Sequence, residues 1–321
     1  MALFTIKKKY TAGLFIDGDK FQCLTVKGSV GNFSVIDYIS DIFPFDNSVD
    51  KDSLINTKDK IDSCFSTIDS KILDKKTPIH IALPISDSLL RIVNLPGMSL
   101  DEAKLAFRYE FENYFPFPLK EGIFDVTQIN FPLINKDSEK RFLVVAARLS
   151  LIDNIMSSAA SYGFTIAGIE PAQISIEKAI TSSVHLKDSV VYIYAGRFRS
   201  VMILSWQGNG IFYRSISLGF DGIKLNVDAE VDVLDDALQS QTVDFVKEIR
   251  FSLQFALSQI RGFNPQSVYI CGPGANDEMV LMLKEALSID DISTVDCLAL
   301  HQVDIEETNE NWDIPLGAIL R

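Results

Sequence analysis

The chain has 321 residues, 47% of them hydrophobic, and a formal net charge of −13 at pH 7. That length suffices for two domains or four small subdomains with sizeable cores. The acidic balance argues against wholesale binding to nucleic acid or to an acidic membrane surface. No apolar run approaches the roughly 18–20 residues that a membrane span needs, and the basic start at Lys7, Lys8 and Lys9 leads into no apolar segment of the kind a signal peptide carries. The four cysteines, Cys23, Cys64, Cys271 and Cys297, are scattered without C-x-x-C spacing, which suits reduced thiols and supports neither zinc nor a disulfide framework.

In chain order, Ala12 to Asp17, Phe21 to Val26 and Phe33 to Ile39 read as three strands joined by Gly-bearing turns. A surface helix is expected over Asp52 to Ile68 and a fourth strand over Ile79 to Leu83, the order of a ribonuclease-H-like layer. Ser99 and Glu102 then form the S-x-x-E pattern of a capping box. Leu100, Ala103, Phe107, Phe111 and Tyr114 follow at spacings of three and four, so they share one helical face. Pro116 and Pro118 end that helix and bias Phe115 and Phe117 towards extended backbone. Strands near 123–131 and 141–147, a helix over 149–161 and a strand over 163–169 complete a small α+β insertion between Pro84 and Pro171.

The pattern then restarts. Ser189 to Tyr194, Ser200 to Trp206 and Gly210 to Ile216 read as three further strands, with Gly208-Asn209-Gly210 as a turn signal. The acidic stretch Asp228 to Asp236 reads as a connection to a long helix at about 239–261, whose Val246, Ile249, Leu253 and Ile260 lie on one stripe. A buried strand over Ser267 to Cys271 ends in Gly272-Pro273-Gly274, and a helix over 276–287 follows. Two β-rich halves with different inserts point, at the level of fold alone, to an actin-like architecture. No Walker A loop, H-E-x-x-H or G-x-S-x-G motif is present. His80 reads as a core histidine, and His185 and His301 stand isolated in polar segments.

Several short motifs in one order carry a resemblance. Leu95-Pro96-Gly97-Met98, the capped helix and Tyr114-Phe115-Pro116-Phe117 resemble the inserted subdomain of the type IV pilus assembly protein M (PilM) family. Val144 to Ala147, Arg214 to Gly219, Glu248 to Leu253 and Leu316 to Arg321 follow in the family's sequence. The resemblance implies a duplicated, ribonuclease-H-like actin ATPase fold of the α/β class with an FtsA-like α+β insertion. Its subdomains would be residues 1–84 completed by 169–187, the insertion at 85–168, a second actin-like part at 188–225 and 266–321, and a helical part at 226–265. The C-terminal end would be placed to pack back on the first of these.

By that resemblance the chain is a cytoplasmic scaffold, recruited to the inner face of the inner membrane by the N-terminal tail of a PilN-like protein. Other pilus assembly proteins, including the assembly ATPase, are further candidate partners. The tail would lie in a groove between the insertion and the first subdomain, shaped by Phe107, Phe111, Tyr114, Phe115 and Phe117; at least half of these are expected to be plain core. For ATP or ADP with magnesium, Asp17 and Gly18 would serve the phosphates, Lys247 and Glu248 the ribose, and Gly272 and Gly274 the adenine. The phosphate side departs from the family pattern, because Phe15 stands where the first loop carries Asp and Tyr192-Ile193-Tyr194 replaces an Asp-Ile-Gly pattern. Efficient hydrolysis, and any catalytic residue or resident metal, is therefore not expected. A nucleotide-driven actin-like ATPase and the cytoplasmic part of a type II secretion L protein are the alternative readings.

Overall fold

A computed structural model describes residues 10–29, 32–43, 58–71, 74–131, 139–184, 187–220, 231–300 and 310–320, with backbone alone for 29, 32, 231–239 and 300. The order is β1 (Tyr10–Ile16), β2 (Lys20–Ser29), β3 (Asn32–Ile42), α1 (Lys58–Lys71), β4 (Pro78–Leu83), β5 (Ser88–Pro96), α2 (Leu100–Tyr114), β6 (Gly122–Ile129) and β7 (Glu139–Arg148). Then come α3 (Leu149–Ser161), β8 (Thr165–Pro171), α4 (Ala172–Ser183), β9 (Ser189–Tyr194), β10 (Ser200–Trp206), β11 (Asn209–Ile216) and α5 (Val231–Gln259). The chain closes with β12 (Ser267–Cys271), α6 (Asp277–Leu287), β13 (Ile292–Thr294), α7 (Cys297–Leu300) and α8 (Asp313–Ile319). The chain divides into two compact units, one of residues 1–87, 150–183 and 296–321, the other of 88–149 and 184–295.

The first unit holds a five-stranded sheet in the order β3-β2-β1-β4-β8. β1, β2 and β3 are antiparallel neighbours, whereas β4 joins β1 and β8 joins β4 in parallel. Short turns suffice for antiparallel neighbours, while the parallel steps require crossovers; α1 lies on the first of them. The strand expected as part of the insertion, Thr165–Pro171, instead completes this sheet beside β4. α3 is fastened to the same unit by a hydrogen bond from the Ser158 hydroxyl to Asp62 of α1. α8 is wholly buried and sits so close to β1 that a Cβ on Gly13 would lie 2.0 Å from the Pro315 carbonyl oxygen. Gly13 thus seats the C-terminal helix.

The second unit repeats the plan in the order β11-β10-β9-β12-β13, again three antiparallel strands followed by two parallel additions. The β10–β11 turn is centred on Gln207 and Gly208, with φ of 49° and 78°. Two positive φ values are those of a type I′ turn, which matches the twist of the flanking strands. A three-stranded antiparallel sheet, β5-β7-β6, belongs to the same unit. α2 covers one face of it through Ala103, Phe107 and Phe111, packed on Val93, Phe142 and Val144.

The capping box forms as expected, with the Glu102 amide donating to Ser99 Oγ at 3.3 Å and the Ser99 amide donating to Glu102 Oε2 at 2.7 Å. α5 begins at Val231, earlier than expected, because the acidic residues read as a connection are also favoured in a first helical turn. Residues 52–57 of the expected first helix, His185 and His301 lie outside the described residues. Among the described residues, no helix is long and apolar enough to cross a membrane.

Candidate functional site

The five aromatic residues expected to shape a peptide groove do come together, around the exit of α2. Phe107 and Phe111 are fully buried, Phe115 is 4% exposed and Phe117 7%, whereas Tyr114 is 37% exposed. The rings form one cluster with Phe124, with Phe111 centred 4.9 Å from Phe115 and 5.5 Å from Phe124. A Cβ on Gly122 would lie 2.7 Å from both the Phe111 and Phe117 rings, so β6 packs directly on the cluster. Four of the five therefore form an inner, buried layer.

Beside that layer, α2 and β6 bound a groove of about 470 Å³ lined by Leu105, Leu119, Gly122, Ile123 and Phe124 together with Lys104, Arg108 and Asp125. Leu105 and Ile123 are 61% and 44% exposed, and Tyr109, one turn along α2 from Leu105, is 90% exposed. β6 is an outer strand of its sheet, so one of its edges is not paired to another strand among the described residues. A groove of mixed apolar and charged lining, with Lys104 paired to Asp125 at 2.7 Å, beside an open strand edge has the chemistry to take an extended peptide. Leu105, Tyr109 and Ile123 escaped sequence reasoning because they lie off the apolar face whose periodicity drew attention to α2.

In the first unit, Asp17 and Gly18 form the β1–β2 turn. The Asp17 amide donates to the Lys20 carbonyl at 2.8 Å, the Gly18 amide to Asp17 Oδ1 at 3.0 Å, and Lys60 Nζ to the Gly18 carbonyl at 2.9 Å. The turn is closed by its own groups. Phe15 is 6% exposed and belongs to the core.

In the second unit, Gly272 and Gly274 follow β12. Gly272 has φ of +97°, in the region that favours glycine. A Cβ on Gly274 would meet the Phe220 ring at 2.4 Å, and one on Gly272 would lie 3.0 Å from the Tyr194 ring. The space that these glycines open is filled by the chain's own aromatic side chains. Nearby amides are engaged as well: Ala195 donates to the Cys271 carbonyl at 2.9 Å, Gly196 to Ser200 Oγ at 3.2 Å, and Gly274 to the Ala195 carbonyl at 2.9 Å. Tyr192 is 1% exposed and stacks on Tyr269.

Lys247 and Glu248 do not pair with each other. Lys247 Nζ binds Asp244 at 3.0 Å, and Glu248 accepts from Arg214 at 3.2 Å and from Ser252 at 3.3 Å.

Two sheets with the same strand order, each extended by parallel strands, define the class: an actin-like ATPase fold, carrying a small three-stranded insertion. The chain belongs to the type IV pilus assembly protein PilM family, whose model matches residues 13–191, more than half of the chain. Among solved structures, it is similar to the PilM–PilN type IV pilus biogenesis complex, with a TM-score of 0.77 and 18% identity over 96% of this chain and 97% of that one. It is also similar to the cytoplasmic domain of EpsL, an inner-membrane component of the type II secretion system of Vibrio cholerae, with a TM-score of 0.53 and 8% identity over 97% of this chain and 94% of that one. A Bacteroides thetaiotaomicron protein of actin-like ATPase fold matches with a TM-score of 0.51 and 12% identity over all of both chains. No curated protein matches in sequence.

Proposed function

We propose that this protein is a cytoplasmic scaffold of type IV pilus assembly that holds the N-terminal tail of a PilN-like inner-membrane protein and works without efficient ATP hydrolysis. Family membership supports the pilus role, and the similarity to a PilM–PilN complex supports the partner. The groove between α2 and β6 is the tail's docking surface in this reading, with Leu105 and Ile123 in its lining, Phe124 beneath them and Tyr109 one turn along α2 as contacts. Recruitment to the inner membrane then runs through the partner's tail.

The observation that carries the non-hydrolytic half is the state of the loops. At the expected phosphate loops the Asp17, Gly18, Ala195 and Gly196 amides already have acceptors within the chain, and at the expected adenine turn Tyr194 and Phe220 fill the space beside Gly272 and Gly274. A phosphate cradle needs open glycine backbone and free amide donors, so these residues do not fit one.

Thermal unfolding with and without millimolar Mg·ATP, and with Mg·ADP for comparison, tests this half. A ligand at about 100 times its dissociation constant adds roughly 2.7 kcal/mol of stability, a shift of a few degrees. The expected outcome is no shift. A clear magnesium-dependent shift would return the nucleotide-driven reading to first place.

A further inference from the structure

The three-stranded sheet has a second face. Side chains alternate along a strand, so with Val93, Phe142 and Val144 turned to α2, their neighbours Leu90, Ile92, Asn94 and Arg141 turn the other way. There they line a cavity of about 520 Å³, whose remaining wall is built from β11 and α5, notably Phe212 and Phe255.

Arg141 is the unusual member. It is 8% exposed, its Nε donates to Asn94 Oδ1 at 3.3 Å, and its guanidinium lies 5.8 Å from the Phe131 ring centroid. Its Nη1 is buried with no hydrogen-bond partner. No carboxylate stands among the described residues lining the cavity, whose only formal charges are Arg91 and Arg141. A buried guanidinium without an anion is costly, and in a chain of net charge −13 this pocket is a local excess of positive charge.

The apolar wall continues outward. Phe255 is 50% exposed, and Phe251, one turn before it on α5, is 63% exposed. Large exposed aromatics in one strip mark a contact surface. β11 beside them is an outer strand, paired only to β10 among the described residues. Ile211, Phe212 and Tyr213 line the cavity consecutively, so an edge of that strand, rather than one face, borders it.

We infer that this cavity is a second docking site, separate from the groove between α2 and β6, and that it takes an extended peptide segment of a partner. The segment carries an acidic residue for Arg141, flanked by aromatic or branched apolar residues for Phe212, Phe251 and Phe255. Arginine pairs with a carboxylate through two parallel hydrogen bonds, and the apolar strip outside the cavity exceeds what a small anion would cover.

The test is selection of a displayed random dodecapeptide library on the full chain, with soluble Arg141→Met protein as competitor. Synthetic copies of the enriched sequences are then titrated by fluorescence anisotropy. Enriched peptides should carry Asp or Glu next to apolar residues. Arg141→Met should weaken binding at least tenfold, changing the peptide's acid to its amide should do the same, and the two changes together should weaken it little further. Arg141→Met replaces an unpaired buried cation by an apolar chain of similar length, so its melting temperature should match or exceed that of the unaltered protein. If that variant fails to fold, Phe255→Ser at the exposed wall carries the titration and should likewise weaken binding tenfold. No enrichment over the competitor, enriched peptides without an acid, or equal affinity for the variants would overturn the proposal.

Discussion

At the scale of single residues, burial decides chemistry here. The Cys23 thiol is pushed up to about 12, by burial first and by the Asp37 carboxylate second. Burial likewise raises Cys64 well above the usual thiol range. The thiolate is the reactive form, so neither cysteine should react with iodoacetamide at pH 8 in the native protein, and both should react once urea unfolds it. Mass spectrometry of the two samples reads this directly.

The aromatic residues after α2 separate in the same way. Phe111→Ala should cost about 3–5 kcal/mol in denaturant unfolding, the range for truncating a buried Phe. Tyr114→Ala, at a 37% exposed position, should cost about 1 kcal/mol or less. The sequence marks both as one helical face, and that face is real. What it cannot express is that the turn from Phe115 to Phe117 folds back over it, so exposure falls instead on Leu105, Tyr109 and Ile123.

At the scale of elements, local signals were legible where local physics fixes the outcome. The capping box, the proline stop after α2 and the strand triplets of both sheets all follow from short-range pattern. β5 and α8 escaped it. β5 runs from Ser88 to Pro96 with Arg91 and Asn94 interrupting its apolar residues, and it is defined by pairing with the distant β7. α8 contains Pro315 and Gly317, which are poor helix formers; tertiary burial, complete along its length, sustains it.

α1 and α3 offer a test of coupling between elements. Hydrogen bonds from Lys58 and then Ser158 hold the Asp62 carboxyl below the usual range. A carboxyl whose folded pKa is depressed contributes stability above its unfolded pKa, about 3.9, and that contribution is lost as pH falls through the folded value. The side chain is about one-third exposed, which keeps the effect small. Asp62→Asn should lower stability by about 0.5–1 kcal/mol at pH 7, and the difference should shrink progressively as pH falls below about 4. Urea unfolding of both proteins across that range measures it.

At the scale of the whole molecule, the repeated strand order is the clearest mark of the fold, and it is visible in the sequence as two runs of three strands. The candidate nucleotide residues were less legible, because residue type at a loop does not reveal what fills the space beside it. The Asp17–Gly18 turn is closed by hydrogen bonds within the chain, and Gly272 and Gly274 are packed by Tyr194 and Phe220. Under the proposed function, the actin-like frame serves as a platform on which a tail docks without a nucleotide to gate it. The direct measurement is titration of the purified protein with the N-terminal peptide of the proposed PilN-like partner, with and without Mg·ATP. The account predicts saturable binding of equal affinity in both, weakened by Tyr109→Ala and Ile123→Ser. Absence of binding, or binding that requires Mg·ATP, would contradict it.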